Sequence, residues 1–124
     1  MSDRPKRIQR KRAKGWRMPP NTVSVTRPGK WGNPFRVGVV SEFGDVPDAE
    51  TAVAFYRSLM DKGLQRINII RELRGKNLAC FCHICDSSGR YVQCHADVLL
   101  AIANDMTPEE VRRENLRWAE RQEM

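Results

Sequence analysis

All four cysteines and both histidines of the 124-residue chain fall in one stretch, LACFCHICDSSGRYVQCHADVLL, from Leu78 to Leu100. Thiolate sulfur and imidazole nitrogen are the ligands zinc favours, and Cys82 and Cys85 have the C-x-x-C spacing that lets two sulfurs approach one metal. With Cys94 and His95 they can close a tetrahedral zinc site, for which His83 is a competing ligand. Without metal, the same groups make a thiol–imidazole site in which Cys94 supplies sulfur and His95 or Asp97 handles a proton. Buried sulfur is the third reading: free cysteine packs as a small hydrophobe, and Cys80 suits that role. A second C-x-x-C or an H-x-x-x-H is missing from the sequence, so spacing leaves the three readings open.

A second set of candidates comes from charge. The net charge is +7, and residues 1–17 hold eight basic side chains against Asp3, whereas the remainder carries fourteen of each sign. So dense a cluster attracts polyanions, and nucleic acid or a nucleotide is the expected partner. Arg7, Arg10 and Arg12 are its candidate phosphate contacts. Ile8, Trp16 and Met18 interrupt the charges, which predicts an edge strand with basic side chains on its solvent face; the alternative for Trp16 is to stack on a base. Further along, the turn-rich GKWGNPF brings Trp31 and Asn33 close to a ligand, with Arg27 as a phosphate holder.

These residues need a scaffold. Alternation in NTVSVTRP predicts a half-buried strand through Val23 and Val25, and FRVGVV a second short one. Asp48 reads as an N-cap, followed at one-face helical spacing by Ala52, Phe55, Tyr56, Leu59 and Met60, with Gly63 as the stop. Ile67, Ile70 and Leu73 predict a short helix ending before Gly75. NLACFC then reads as a buried strand over Leu78–Cys82, parallel to an earlier one through a helical crossover. A helix starts near Cys94 or His95, and Thr107-Pro108-Glu109-Glu110 opens the last one with a capping box.

The fold expected is therefore a small Rossmann-like α/β domain of two or three layers, with a short, partly parallel sheet, spanning residues 1–106 and followed by a C-terminal helix over 107–124. The carboxyl end of the central strand would deliver Cys82 to the rim, where open α/β sheets place ligands. Cys94 and His95 would sit at the mouth of the next helix, where backbone N–H groups favour anions and lower a thiol's pKa. No apolar run approaches the roughly 20 residues that cross a bilayer, and no export signal is recognisable, so no membrane association and a reducing cytoplasm are expected.

The runs RIQRKRAKGWRMPPNTVSVTRPGKWGNPF, LRGKNLACFC and CHADVLLAIAN resemble an uncharacterised domain family of phages and bacteria, domain of unknown function 4326, over roughly Arg7 to Asn104. The W-G-N-P-F and C-H-A-D elements carry the resemblance. It singles out Arg27, Pro28, Trp31, Gly32, Asn33, Pro34 and Phe35, then Cys80, Cys82, Cys94, His95 and Asp97, and it implies that the basic segment belongs to the domain. Relatives tend to have a shorter connection between Cys82 and Cys94, so Cys85 and DSSGRYVQ look like an insertion. Two functions follow as expectations. One is an accessory protein binding a phosphate-bearing ligand, nucleic acid or nucleotide. The other is an enzyme acting at a glycosidic or phosphate-linked bond of such a ligand through the Cys/His/Asp site.

Overall fold

The computed structural model describes residues 4–27 and 29–122; Pro28 lies outside the described residues. Three strands, β1 (Arg7–Gln9), β2 (Thr22–Ser24) and β3 (Asn77–Cys80), form an open sheet in the order β1-β3-β2, parallel throughout. The helices are α1 (Ala49–Met60), α2 (Gly63–Leu73), α3 (His95–Asn104) and α4 (Pro108–Gln122). This is the expected α/β class. The apolar α3 lies against β3 and β1 and is flanked by α1, α2 and α4, so its start is held at the centre of the molecule. Among the described residues no helix is long and apolar enough to cross a membrane.

Local chemistry explains most of the elements. Asp48 caps α1, its Oδ1 accepting from the Thr51 amide at 2.8 Å, and Ala52, Tyr56 and Met60 recur every fourth residue on the buried face. Thr107 and Glu110 close the capping box of α4 reciprocally, at 3.1 and 2.9 Å. Gly63 begins α2 rather than ending α1, which closes at Asp61, and α2 turns Ile69 and Leu73 inward while Ile67 is exposed. The expected strand over FRVGVV is a loop. Gly38 at φ 86° breaks the extended backbone, Gly38 N–H donates to Val46 O, and Val37, Val39 and Val40 face outward.

The basic segment does supply an edge strand, in which Ile8 is buried, but Arg7 beside it is buried too instead of facing solvent. Arg7 points inward and is 0% exposed, in contact with α3 and α4, so it is not a surface phosphate contact. The reason is a set of buried acceptors. Arg7 Nη2 donates to Val92 O at 2.8 Å and His83 O at 3.4 Å, and Nη1 lies 3.3 Å from Asp97 Oδ1. The Arg7 amide donates to Asn115 Oδ1 at 2.6 Å, which fastens α4 to β1.

Candidate functional site

Because the sheet is parallel, all three strands end at one rim. Arg10 follows β1 there, its amide bonded to Cys80 O; Val25, Thr26 and Arg27 follow β2; Phe81 and Cys82 follow β3. Cys94 arrives at the same rim as the N-cap of α3. Arg7 makes this meeting possible, since His83 O and Val92 O are the two ends of the connecting loop, and one guanidinium holds both. Within that loop Asp86 Oδ1 accepts from Ser88 and Arg90 amides, and Cys85 pairs with Tyr91 in an isolated bridge.

The result is a cluster of three sulfurs. Cys94 Sγ lies 3.3 Å from Cys80 Sγ and 3.4 Å from Cys82 Sγ, and all three lie within 4.8 Å of one another. These three cysteines could bind a metal ion. Cys80 and Cys94 are buried, whereas Cys82 is exposed. The ligand set differs from the one expected at three residues: Cys80 joins it, while Cys85 and His95, whose Nε2 is taken up by Val25 O, are not part of it. Cys80 belongs to the cluster because alternation along β3 puts it on the same side as Cys82. Cys85 does not, because the loop carries it to another cavity lined by Gln9, Lys11 and Trp118. His83 is exposed beside Gln9, with its Nδ1 3.3 Å from Gln9 Nε2.

His95 braces the cluster. Its Nε2 lies 2.7 Å from Val25 O, the geometry of an N–H donor to a carbonyl, and Tyr56 packs edge-on against the ring at 5.3 Å. Burial lowers its pKa below the ordinary histidine value, so the ring is neutral and Nδ1 offers a lone pair 3.4 Å from Cys94 Sγ. Hydrogen bonding with Cys80 and then Cys82, reinforced by the Arg7 charge, holds the Cys94 thiol well below its usual value. Hydrogen bonding with Cys82 and Cys94 pushes Cys80 up. Cys82 is raised on balance, pulled down by Cys80 and pushed up by Cys94 and by burial.

Above the sulfurs opens a cavity of about 380 Å³. Arg27, Asn33, Cys82, Cys94 and His95 all line it, together with Arg36, Phe81 and Gln93, and no carboxylate does. Arg27 is placed by the W-G-N-P-F loop, in which a Cβ at Gly32 would lie 2.9 Å from Arg27 Cα. Asn33 locks that loop: Nδ2 donates to Ala52 O at 3.2 Å and Oδ1 accepts from the Phe35 amide at 2.9 Å, so its amide is committed to the fold. Trp31, expected at the ligand, is instead buried in the core, with its carbonyl accepting from Tyr56 Oη at 2.7 Å.

Asp97 does not join the cavity. Two residues apart on a helix means about 200° of rotation, so His95 and Asp97 cannot face the same space. Asp97 turns to Arg7, to Tyr91 Oη at 2.6 Å and to Asn115 Nδ2 at 3.1 Å. Burial pushes its carboxyl above the ordinary carboxylate range against the pull of Arg7. Arg10 reaches the rim half-buried, its Nη1 donating to Ser24 Oγ and Thr26 Oγ1 at 2.9 and 3.1 Å. Arg10 and Arg12 both lie over the Phe81 ring, at 4.7 and 4.3 Å. Phe81, Arg36 and Gln93 carry no motif of their own in the sequence. Their immediate neighbours Cys82, Phe35 and Cys94 do, and adjacency to a rim motif is the signal that points to them.

The fold is a small, open, parallel α/β sheet with a cluster of three cysteines at its carboxyl rim, the edge at which open α/β sheets usually place ligands. The family model for a domain of unknown function, DUF4326, matches residues 8–105, and the chain belongs to that family. The match includes the three clustered cysteines and stops before α4. Comparison with curated proteins finds no match, and comparison with solved structures finds none.

Proposed function

We propose that the cavity at the sheet rim binds a phosphate-bearing ligand of the nucleotide class, free or within a nucleic acid, and that the three cysteines at its floor form its reactive centre. The observation carrying this reading is the convergence of Arg27, Asn33, Cys82, Cys94 and His95 on one carboxylate-free cavity. Arg27 and Arg36 are exposed at its lining, and among the described residues neither meets a carboxylate in an ion pair. A guanidinium without an internal partner is available to phosphate, which it can hold by paired, charge-assisted hydrogen bonds. The helix start at Cys94 adds its positive end. Convergence on one cavity favours chemistry on the ligand over binding alone, with Cys94 and Cys82 as the groups nearest to it.

The sulfur cluster suits zinc. Zinc–sulfur bonds of about 2.3 Å in a tetrahedron set ligand sulfurs roughly 3.8 Å apart. The sulfurs here reach that spacing by moving a few tenths of an ångström, from 3.3 and 3.4 Å. Three protein ligands with a fourth position open toward a cavity is the arrangement of zinc that acts as a Lewis acid on water or on a phosphate oxygen. Zinc would neutralise two of three thiolate charges, and the Arg7 guanidinium behind the cluster, shared with Asp97, would lessen the remainder; free thiols of this kind fit a reducing cytoplasm.

Elemental analysis of purified protein should approach one zinc per chain. Cys80→Ser should lower that content and Cys85→Ser should not; the reverse pattern would return the site to the C-x-x-C pair. For the ligand, calorimetric titration with a nucleoside monophosphate should give saturable binding that Arg27→Gln weakens about tenfold, the worth of a charge-assisted hydrogen bond. No binding by the unmodified protein would reject the reading.

A further inference from the structure

The cavity is the size of a site for one small ligand, whereas the cationic surface leading to it is far longer. We infer that the ligand entering the cavity is one nucleotide of a single-stranded nucleic acid, whose adjoining backbone lies along Arg12, Lys14 and Arg17. This rests on the cavity being a nucleotide site and decides which form of nucleotide it takes.

Three observations carry it. First, the segment from Arg10 to Arg17 contains five basic residues and no acidic one, more charge than a single phosphate group requires. Arg12, Lys14 and Arg17 are exposed, and among the described residues none of them forms an ion pair. The protein's other exposed cations include several that do, such as Arg4 with Glu110, Lys30 with Glu72 and Arg66 with Asp61.

Second, the tract is continuous with the cavity. Arg12 lies over Phe81, and Phe81 lines the cavity beside Cys82. Arg10, on the same ring, is tied to Ser24 and Thr26, so the near end of the tract is anchored to the ends of β1 and β2. From this point the chain runs from the carboxyl end of β1 to the amino end of β2, carrying Lys14 and Arg17 away from the cavity. A phosphodiester backbone entering at Phe81 therefore meets further cations, at Lys14 and Arg17.

Third, although Cys82 is exposed, Cys80 and Cys94 are buried at the cavity lining, and a base stacked within a duplex cannot reach them. Chemistry at such depth requires a single strand or a base extruded from its stack. Backbone-tracking cations beside a recess for one unit are the electrostatic design of single-strand binders.

The test is fluorescence anisotropy with a short fluorescein-labelled oligodeoxythymidylate, competed by thymidine monophosphate and by the corresponding duplex. The single strand should bind at least about tenfold more tightly than the mononucleotide and than the duplex, as several phosphate contacts acting together demand. The double variant Lys14→Gln/Arg17→Gln should lose about tenfold in affinity for the strand. Its plot of log K against log salt should flatten by about 1.4, from roughly 0.7 for each of the two phosphates no longer neutralised. Mononucleotide binding by this variant should be unchanged, whereas Arg27→Gln should weaken both ligands. Equal affinity for strand and mononucleotide, or an unaltered salt slope in the double variant, overturns the inference and leaves the nucleotide site standing. Tighter binding of the duplex overturns the single-strand assignment. Failure of both strand and mononucleotide to bind overturns the site itself, and the inference with it.

Discussion

On one side of the first turn of α3, Asp97 meets Arg7, Tyr91 and Asn115 in a network closed on the carboxylate, in which Arg7 Nη1 is held by charge alone and Nε makes no hydrogen bond. On the other, Cys94 and His95 face a cavity whose arginines meet no carboxylate. Both sides contain cations and ionisable groups, drawn from the same short motif and the same basic segment. In the first, Arg7 is fully buried and joins β1, the 83–92 loop and α3 through a shared set of oxygen acceptors. In the second, Arg27 and Arg36 keep their guanidiniums at the surface, and Cys82 remains exposed. A polar group that finds its partners inside the molecule stabilises the fold, and one that is held in place without them is available to a ligand.

The largest effect on stability should come from the closed side. Asp97→Ala leaves the Arg7 charge buried without its carboxylate, and unfolding in denaturant should show a loss of about 3–5 kcal/mol. Arg27→Gln, on the open side, should change stability by less than about 0.5 kcal/mol, as exposed substitutions do. If Asp97→Ala were as mild, the network would not be the strut that brings Cys94 to Cys82.

A smaller and more selective effect is expected from Gly32→Ala. Its Cβ would press on the backbone of Arg27 at 2.9 Å, so the loop must shift and carry the guanidinium off the cavity. Affinity for a nucleoside monophosphate should fall several-fold, while zinc content stays unchanged. A fall in both would mean that the loop supports the sulfurs as well.

The parallel sheet, the capped helices and the rim position of Cys82 and Cys94 were legible because each rests on local pattern: alternation in NTVSV, Asp48 before an apolar stripe, Thr107 and Glu110 in a capping box. The direction of Arg7 was not legible. Net charge points a basic segment toward solvent, and only the tertiary fold supplies the carbonyls of His83 and Val92 and the carboxylate of Asp97 that turn one arginine inward. The same limit applies to the metal ligands. C-x-x-C spacing favours Cys85, but the loop that contains it bridges to Tyr91 and leaves the cluster to Cys80, which strand alternation places on the same face as Cys82. Trp31 and Asn33 stand out by their turn-rich context, yet they build the loop instead of presenting themselves to a ligand. A sequence motif marks where a site is; which member touches the ligand depends on which hydrogen bonds the fold has already filled.

The smallest expected effect lies away from both sides. Thr107→Ala removes one half of the α4 capping box and should cost about 1 kcal/mol in thermal or chemical unfolding. It should leave nucleotide binding and zinc content as they are, because α4 contributes to the closed network through Asn115 and supplies nothing to the cavity. A change in ligand affinity would show that the two sides of α3 are coupled.

That the exposed sulfur and the arginines belong to one site can be measured by alkylating metal-free protein with iodoacetamide and following each cysteine by mass spectrometry, with and without a saturating nucleoside monophosphate. Cys82 should be labelled at least about tenfold more slowly when the nucleotide is present, since both occupy the same cavity, while Cys85, in a different cavity, should react at an unchanged rate. Unchanged labelling of Cys82 under saturating nucleotide, or equal protection of Cys82 and Cys85, would contradict a single site formed by the arginines and the sulfur cluster.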